Sequence, residues 1–349
     1  MPKHKKRATS FKKVKKRALR LFVTVGVLSS IALVVWGVLT IQHIFEPISG
    51  SAANYSTVQT NPIDNDIYTF STVYTEQSEI TAVVITNIDK RERTVKELLL
   101  PNDLLLQMPA GLQEYPLRSV LKISELSNID TKLILKESLH HFIGAITDKL
   151  IITSVEIDSW LNQGLIIPKI LASPNWVSDH FQTDLTRFEL IRIINDYTLH
   201  KKYHFQRTDL AQQKLGTKLT QKDGSQSIKV LPSEIDPISK NIFEDLQLKY
   251  EGATVSVVNT TNSEGLARYL SRILENTGLR VTEVTSFKPT YARSTIEVDE
   301  NFGLQNHTIN KILSAVPNAE IKTSASASQT DLVIYLGQDY ASLVKGLKE

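Results

Sequence analysis

Two acids stand where strand-like runs begin and end. Glu79 opens the run 79–86 (EITAVVIT), and Asp103 follows Pro101-Asn102 just after the run 94–100 (TVKELLL). Carboxylates at neighbouring strand ends are able to share one hard cation, for which oxygen donors are the natural ligands. No third ligand accompanies them, and an Asp after Pro-Asn is a common turn former, so the turn reading outweighs the metal reading. His140-His141 is a second pair, but adjacent helical positions point about 100° apart and do not chelate one ion together. The pair reads as solvated helix residues. His200, Lys201, Lys202, Tyr203 and His204 make an exposed basic patch, more readily a solvated face than a contact for glycan or phosphate. Asn259 ends a strand-like run and is followed by Thr260-Thr261-Asn262, a combination that builds a turn before a helix, with ligand contact as the lesser reading. Tyr291 and Arg293, beside the strand-like 294–298, offer a stacking ring and a cation to a sugar or a phosphate; a structural role in a strand pair competes with that. There is no cysteine, which excludes disulfides, thiolate metal sites and a Cys nucleophile. Gly-rich phosphate loops, a nucleophile elbow and a His-Glu-x-x-His motif are also absent from the sequence.

The elements that must position these residues follow from hydrophobic period. Runs rich in β-branched and aromatic residues predict strands over 67–73, 79–86 and 94–100, the last two as a hairpin with a charged tip. Helices are expected over 127–142, with Ser127 or Asn128 as N-cap and Gly144 as the stop, over 157–164 and over 182–197. A short strand is expected over 149–155. Residues 208–227 are polar without a clear period; a strand over 227–231 and a helix or turn over 236–248 follow. From residue 253 the pattern is βαββαβ: strands 254–259, 279–285, 294–298 and 331–336, helices 263–277 and 305–315, with Gly278 placed to end the first helix. That order suits a split-βαβ sandwich, so the fold class is mixed α/β, of the α+β kind.

Residues 21–41 carry no charge and are long enough to cross a bilayer as a helix, which takes about 20 apolar residues. Ten of the 40 Lys and Arg precede residue 21 with no acid among them, which leaves 30 against 37 acidic residues in the rest. The overall +3 is thus a basic tail joined to an acidic body. Positive charge stays on the cytoplasmic side, so the expectation is a single-pass protein of the cell membrane with a cytoplasmic N-terminus and extracytoplasmic C-terminal domains. A topogenic tail able to touch anionic lipid explains these charges without a nucleic-acid partner. The apolar run exceeds a signal peptide's core, which favours a retained anchor over cleavage near Ser51-Ala52-Ala53. The expected organisation is tail 1–20, transmembrane helix 21–43, linker 44–64, a first ectodomain 65–207, a connecting segment 208–250 and a terminal domain 251–349.

The terminal stretches EGATVSVVNTTNSEGLARYLSRILENTGLRVTEV, YARSTIEV and DLVIYLGQDY resemble the LytR C-terminal domain, a small module of bacterial envelope proteins. Asn259, Gly265-Leu266-Ala267, Gly278, Thr295, Gly337 and Asp339 keep that family's pattern, and Thr260 stands where the pattern usually has Gly. The region 67–197 resembles a worn LytR-CpsA-Psr catalytic domain, a family that transfers undecaprenyl-pyrophosphate-linked glycopolymer to peptidoglycan. The stretches that carry this resemblance are Gln77-Ser78-Glu79-Ile80, Leu100-Pro101-Asn102-Asp103, Lys122-Ile123-Ser124 and Asp184 to Ile191. The resemblance implies arginines that clamp a pyrophosphate and acids that hold a metal. Here three of the implied arginines are Gln77, Asn102 and Leu190; Asp103 and Arg187 stand at family positions, with Glu79 as a conservative substitute.

These readings lead to a non-catalytic envelope protein, with no cofactor, that presents its terminal domain to cell-wall glycan or to another envelope protein, with Asn259, Tyr291 and Arg293 as ligand-contact candidates. The alternative is a glycopolymer ligase using Glu79, Asp103, Arg187 and Mg2+, partnered by peptidoglycan or an envelope glycopolymer. A third reading is a regulatory anchor acting through its cytoplasmic tail.

Overall fold

The computed structural model describes residues 66–154, 181–183, 185–198, 203–221, 223–302, 307–324 and 330–345. The expected anchor 21–43, the tail, the linker and the expected helix 157–164 lie outside these residues. Among the described residues no helix is long and apolar enough to cross a membrane.

The fold is mixed α/β. Strands β1 (Ile67–Glu76), β2 (Glu79–Asp89) and β3 (Thr94–Leu100) form an antiparallel meander. Gln77 and Ser78, both at positive φ, join the first two in a two-residue turn whose twist suits a hairpin. The small strands β4 (Leu105–Gln107) and β5 (Glu114–Pro116) pair with each other. β6 (Lys149–Thr153) lies parallel to β1, β7 (Phe181–Thr183) antiparallel to β6, and β8 (His204–Asp209) parallel to β3, giving the order β7-β6-β1-β2-β3-β8. β9 (Thr217–Thr220) and β10 (Gln226–Lys229) make a further ribbon.

Side chains alternate across this six-stranded sheet, as a strand's two-residue period requires. Val73, Val83, Ile85, Leu98, Leu100, Leu150 and Ile152 face one core, which is covered by α1 (Val120–Ser127), α2 (Thr131–Ile143) and α4 (Pro232–Phe243). Tyr68, Phe70, Ile88, Val95 and Ile151 face the other, against α3 (Arg187–Thr198). The stretch 208–250, expected as a connector, supplies Leu210, Val230, Ile235, Ile242 and Phe243 to the first core.

After the short α5 (Leu246–Glu251) comes a second sheet. Its elements are β11 (Thr254–Asn259), α6 (Leu266–Thr277), β12 (Arg280–Ser286), β13 (Thr295–Asp299), α7 (His307–Ala315), β14 (Glu320–Ser324), β15 (Leu332–Leu336) and α8 (Gln338–Leu343). The strand order is β12-β11-β15-β13-β14. Five strands replace the four expected: β14 is an exposed edge strand (EIKTS) without the apolar alternation that marks the others. The predicted helix 263–277 begins instead at Leu266, with Gly265 as N-cap, and ends at Gly278 as expected.

The two units share a polar seam. Arg272 of α6 donates from Nη1 to the His141 carbonyl at 2.6 Å and from Nη2 to the Phe142 carbonyl at 3.0 Å, which satisfies carbonyls that the last turn of α2 leaves open. Its Nε bonds Asp236 of α4 at 2.8 Å, and Asn276 bonds the same carboxylate at 2.9 Å. Gly144, in the left-handed region at φ +57°, caps α2; a Cβ there would come within 2.8 Å of the Arg272 Cζ. Lys311 of α7, 4% exposed, pairs with Asp148 at 2.9 Å, and Asp148 also accepts from the Thr69 amide. Ile146 packs into the core of the second unit.

His140 and His141 are not solvated. Both are buried, at 4% and 8% exposure. α2 is covered on one side by the first core and on the other by α6, so its last turn has no open face. The His140 Nε2 meets the Thr147 hydroxyl at 2.8 Å and its amide at 3.0 Å. Burial pulls the His140 pKa down to about 3 and that of His141, beside Arg272, to about 4.

Candidate functional site

Glu79, at the exposed start of β2, is held by Lys122 of α1 at 2.5 Å, and that hydrogen bond lowers its pKa. The family-aligned stretches around Glu79 and Lys122 are therefore brought together, as a surface ion pair. With both groups about half exposed, the pair adds little to stability. Asp103 is partly buried; its carbonyl accepts from the Ile228 amide at 3.0 Å, and the neighbouring Asn102 carbonyl from the Arg118 amide at 2.8 Å. Arg187 lies elsewhere, on α3. Leu104, next to Asp103, belongs to the first core, whereas Leu185 and Leu190, which flank Arg187, belong to the second. Gln77 is exposed in the hairpin turn, Asn102 is exposed, and Leu190 is fully buried. Among the described residues no three His, Cys, Asp or Glu side chains group as metal ligands.

The terminal candidates do converge. Parallel strands β11, β12 and β15 end side by side at Asn259, Ser286 and Leu336. The crevice outside such strand ends is a common place for ligands in α/β sheets. Asn259 is spent on structure: its Oδ1 accepts from the Thr261 amide and hydroxyl at 2.9 and 2.8 Å, and its Nδ2 donates to the Ser263 carbonyl at 2.7 Å. Thr260 compensates for the missing glycine, its hydroxyl bonding the Leu336 carbonyl at 2.7 Å across to β15. The Tyr291 ring leans on Tyr335 at 5.9 Å. Arg293 is exposed, and its guanidinium has no partner among the described residues. Phe287, 51% exposed, and exposed Lys288 stand in the same loop.

This loop is fixed from beneath. Asp339 accepts from the Ser294 amide at 2.9 Å and from its hydroxyl at 2.7 Å. A Cβ on Gly337 would sit 2.4 Å from the Arg293 backbone carbon. Gly337→Ala should therefore push the loop away and cost about 1–3 kcal/mol, the usual range for overpacking, read as a lower melting temperature.

Residues 252–340 match the family model described as LytR cell envelope-related transcriptional attenuator. The matched module is the second sheet with its helices, and the positions that keep the family pattern, Asn259, Gly278, Gly337 and Asp339, form turns, caps and loop supports in it. No curated protein matches the chain. Among solved structures, TagT bound to LIIa-WTA is similar at 10% identity and a TM-score of 0.39, over 52% of this chain and 91% of that one. The LytR-CPS2A-psr family protein YwtF (TagT) with bound octaprenyl pyrophosphate lipid is similar at 13% identity and 0.35, over 52% and 90%. A Streptococcus agalactiae protein is similar at 9% identity and 0.40, over 53% and 90%.

Sequence reasoning passed over one further group. Glu97 of β3 is 1% exposed, and Arg207 of β8 meets its Oε2 from Nε at 2.7 Å. The signal was present: an acid at an inward position of TVKELLL needs a partner when the strand is buried.

Proposed function

We propose that this chain is a membrane-anchored protein of the bacterial cell envelope that binds cell-wall glycan through its terminal module and performs no glycopolymer transfer. The observation that carries the reading is the strand-end loop, where an unpartnered Arg293 stands beside Tyr291 and Phe287 on a backbone pinned by Ser294 and Asp339. Rigid aromatic and arginine side chains are the residue types that dominate binding energies. The family name matched by the module supports the envelope setting. The non-catalytic part of the proposal rests on Glu79 being paired with Lys122 and on Gln77, Asn102 and a buried Leu190 standing where the resemblance implies arginines. With an anchor at 21–43, the module lies outside the membrane, where the glycan is.

The full chain in detergent should sediment with purified sacculi. Tyr291→Ala with Arg293→Ala should weaken that binding about tenfold or more, each anchor contributing about 1 kcal/mol or above. In the same preparation, a polyprenyl-pyrophosphate donor with Mg2+ should yield no transferred glycopolymer. Turnover abolished by Asp103→Ala would instead establish the ligase.

A further inference from the structure

The second face of the six-stranded sheet carries a groove of about 640 Å3, within the range of small-molecule sites. Its floor is a row of directly opposed residues on four strands. Phe70 faces Thr86, Thr86 faces Glu97, and Glu97 faces Arg207. Thr72 lies one row further along, opposite Val84. The wall on the helix side is apolar and includes Leu190 of α3.

Three features of the lining define what fits. Thr72 and Thr86 are 3% and 2% exposed, and their hydroxyls have no hydrogen-bond partner among the described residues. Both line the groove, so an occupant is within reach of them. Arg207 is the one cation lining the groove among the described residues, and its guanidinium is bound to the Glu97 carboxylate, so that pair is close to neutral; Glu76, exposed at the end of β1, is the other charged group of the lining. Phe70 and Tyr74 add aromatic surface. A hydrocarbon tail laid here would leave two hydroxyls and an ion pair dry and uncompensated. A phosphate would find its only candidate cation already committed.

We propose that this groove binds an uncharged, hydroxyl-rich ligand, a short saccharide, through the Thr72 and Thr86 hydroxyls and the Glu97–Arg207 pair. Sugar hydroxyls donate to and accept from threonine hydroxyls and donate to a carboxylate, while the apolar faces of the rings pack on the partly exposed Tyr74 and Leu99. The site is separate from the strand-end loop of the terminal module, on another sheet.

The test is calorimetric titration of the full chain in lipid nanodiscs with an N-acetylglucosamine tetrasaccharide, and separately with geranylgeranyl phosphate. The tetrasaccharide should bind. Thr72→Val and Thr86→Val keep the side-chain shape and the β-strand preference, so both should leave the melting temperature unchanged or slightly higher. Each should weaken tetrasaccharide binding about tenfold, the order of one net hydrogen bond, while Thr86→Ser retains it. Arg293→Ala should leave this binding intact, so failure of the sacculus experiment and failure here are distinguishable. No heat from the tetrasaccharide, or binding unaltered in the double valine variant, would overturn the proposal. So would geranylgeranyl phosphate binding that strengthens in the double valine variant, since the groove would then be a lipid site.

Discussion

Arg272→Ala should lower the stability of the ectodomain by about 3–5 kcal/mol, the usual consequence of removing one member of a buried ion pair. The guanidinium serves three receivers at once: the His141 and Phe142 carbonyls and the Asp236 carboxylate. Alanine leaves the two carbonyls without these donors and Asp236 with Asn276 alone. Arg272→Lys should recover only part of the loss, because an ammonium lacks the planar fork that reaches carbonyls and carboxylate together. Arg268, exposed on the same helix, is the control, and Arg268→Ala should be within about 0.5 kcal/mol of the parent. Thermal and urea unfolding of the three variants decide the matter.

Glu137→Gln should stabilise the protein by about 3 kcal/mol at pH 8 and leave it unchanged at pH 4, since a tenfold change in proton affinity is worth about 1.4 kcal/mol. Glu137 is buried in α2, where Lys136, Tyr269 of α6 and Tyr340 of α8 are the groups that bear on it, and no hydrogen bond satisfies it among the described residues. Burial lifts its carboxyl from 4.5 to about 7. For an acid raised in the folded state, no penalty exists below the unfolded pKa. The penalty grows as pH rises from about 4.5 and is complete above about 7. The neutral amide never incurs it. His140 and His141 act in the opposite direction, since stability held by their neutral rings is lost as pH falls from 6.5 towards 3–4. Urea midpoints of parent and variant at pH 4, 6 and 8 separate the two effects, because the histidines are common to both. A gain that persists unchanged at pH 4 would assign the effect to packing instead.

Much of the strand pattern is legible in the residues. The limits of β3 and β11 coincide with those read from TVKELLL and TVSVVN, because each is a dense β-branched or apolar run bounded by polar residues. Gly144 and Gly278 mark helix ends in the sequence and serve as C-caps in the structure. Pairing at a distance is not legible in the same way. β8 reads HFQRTD and shows no period, because its partner β3 lies more than a hundred positions away and Arg207 is justified only by Glu97. The expected helix 127–142 begins later, at Thr131, and an unexpected helix over 120–127 precedes it: Asn128, at φ +53°, ends that helix, and Asp130 caps the next. An Asn-x-Asp sequence serves a stop and a start equally well, so local sequence does not separate them. The histidine pair reads as solvated for a similar reason, since the helix that buries it arrives from residues 266–277. At the candidate site, Asn259 is legible as a turn builder from its threonines, whereas the Lys122 that holds Glu79 is 43 positions distant, and nothing local marks it as the partner.

Ile146 belongs by sequence to the first unit and by packing to the second. Its neighbours Gly144 and Asp148 meet Arg272 and Lys311. The five residues 144–148 are therefore the plug of a two-part fitting, and the socket is moulded by α6 and α7. A chimera that exchanged the terminal module for a homologous one at residue 251 would keep the plug and change the socket. Grafts that carry their own version of 144–148 respect the joint; those cut by sequence boundary alone leave an isoleucine and a carboxylate without a receptor. For anyone recombining such chains, the loop and the module are one transferable part despite the hundred residues between them.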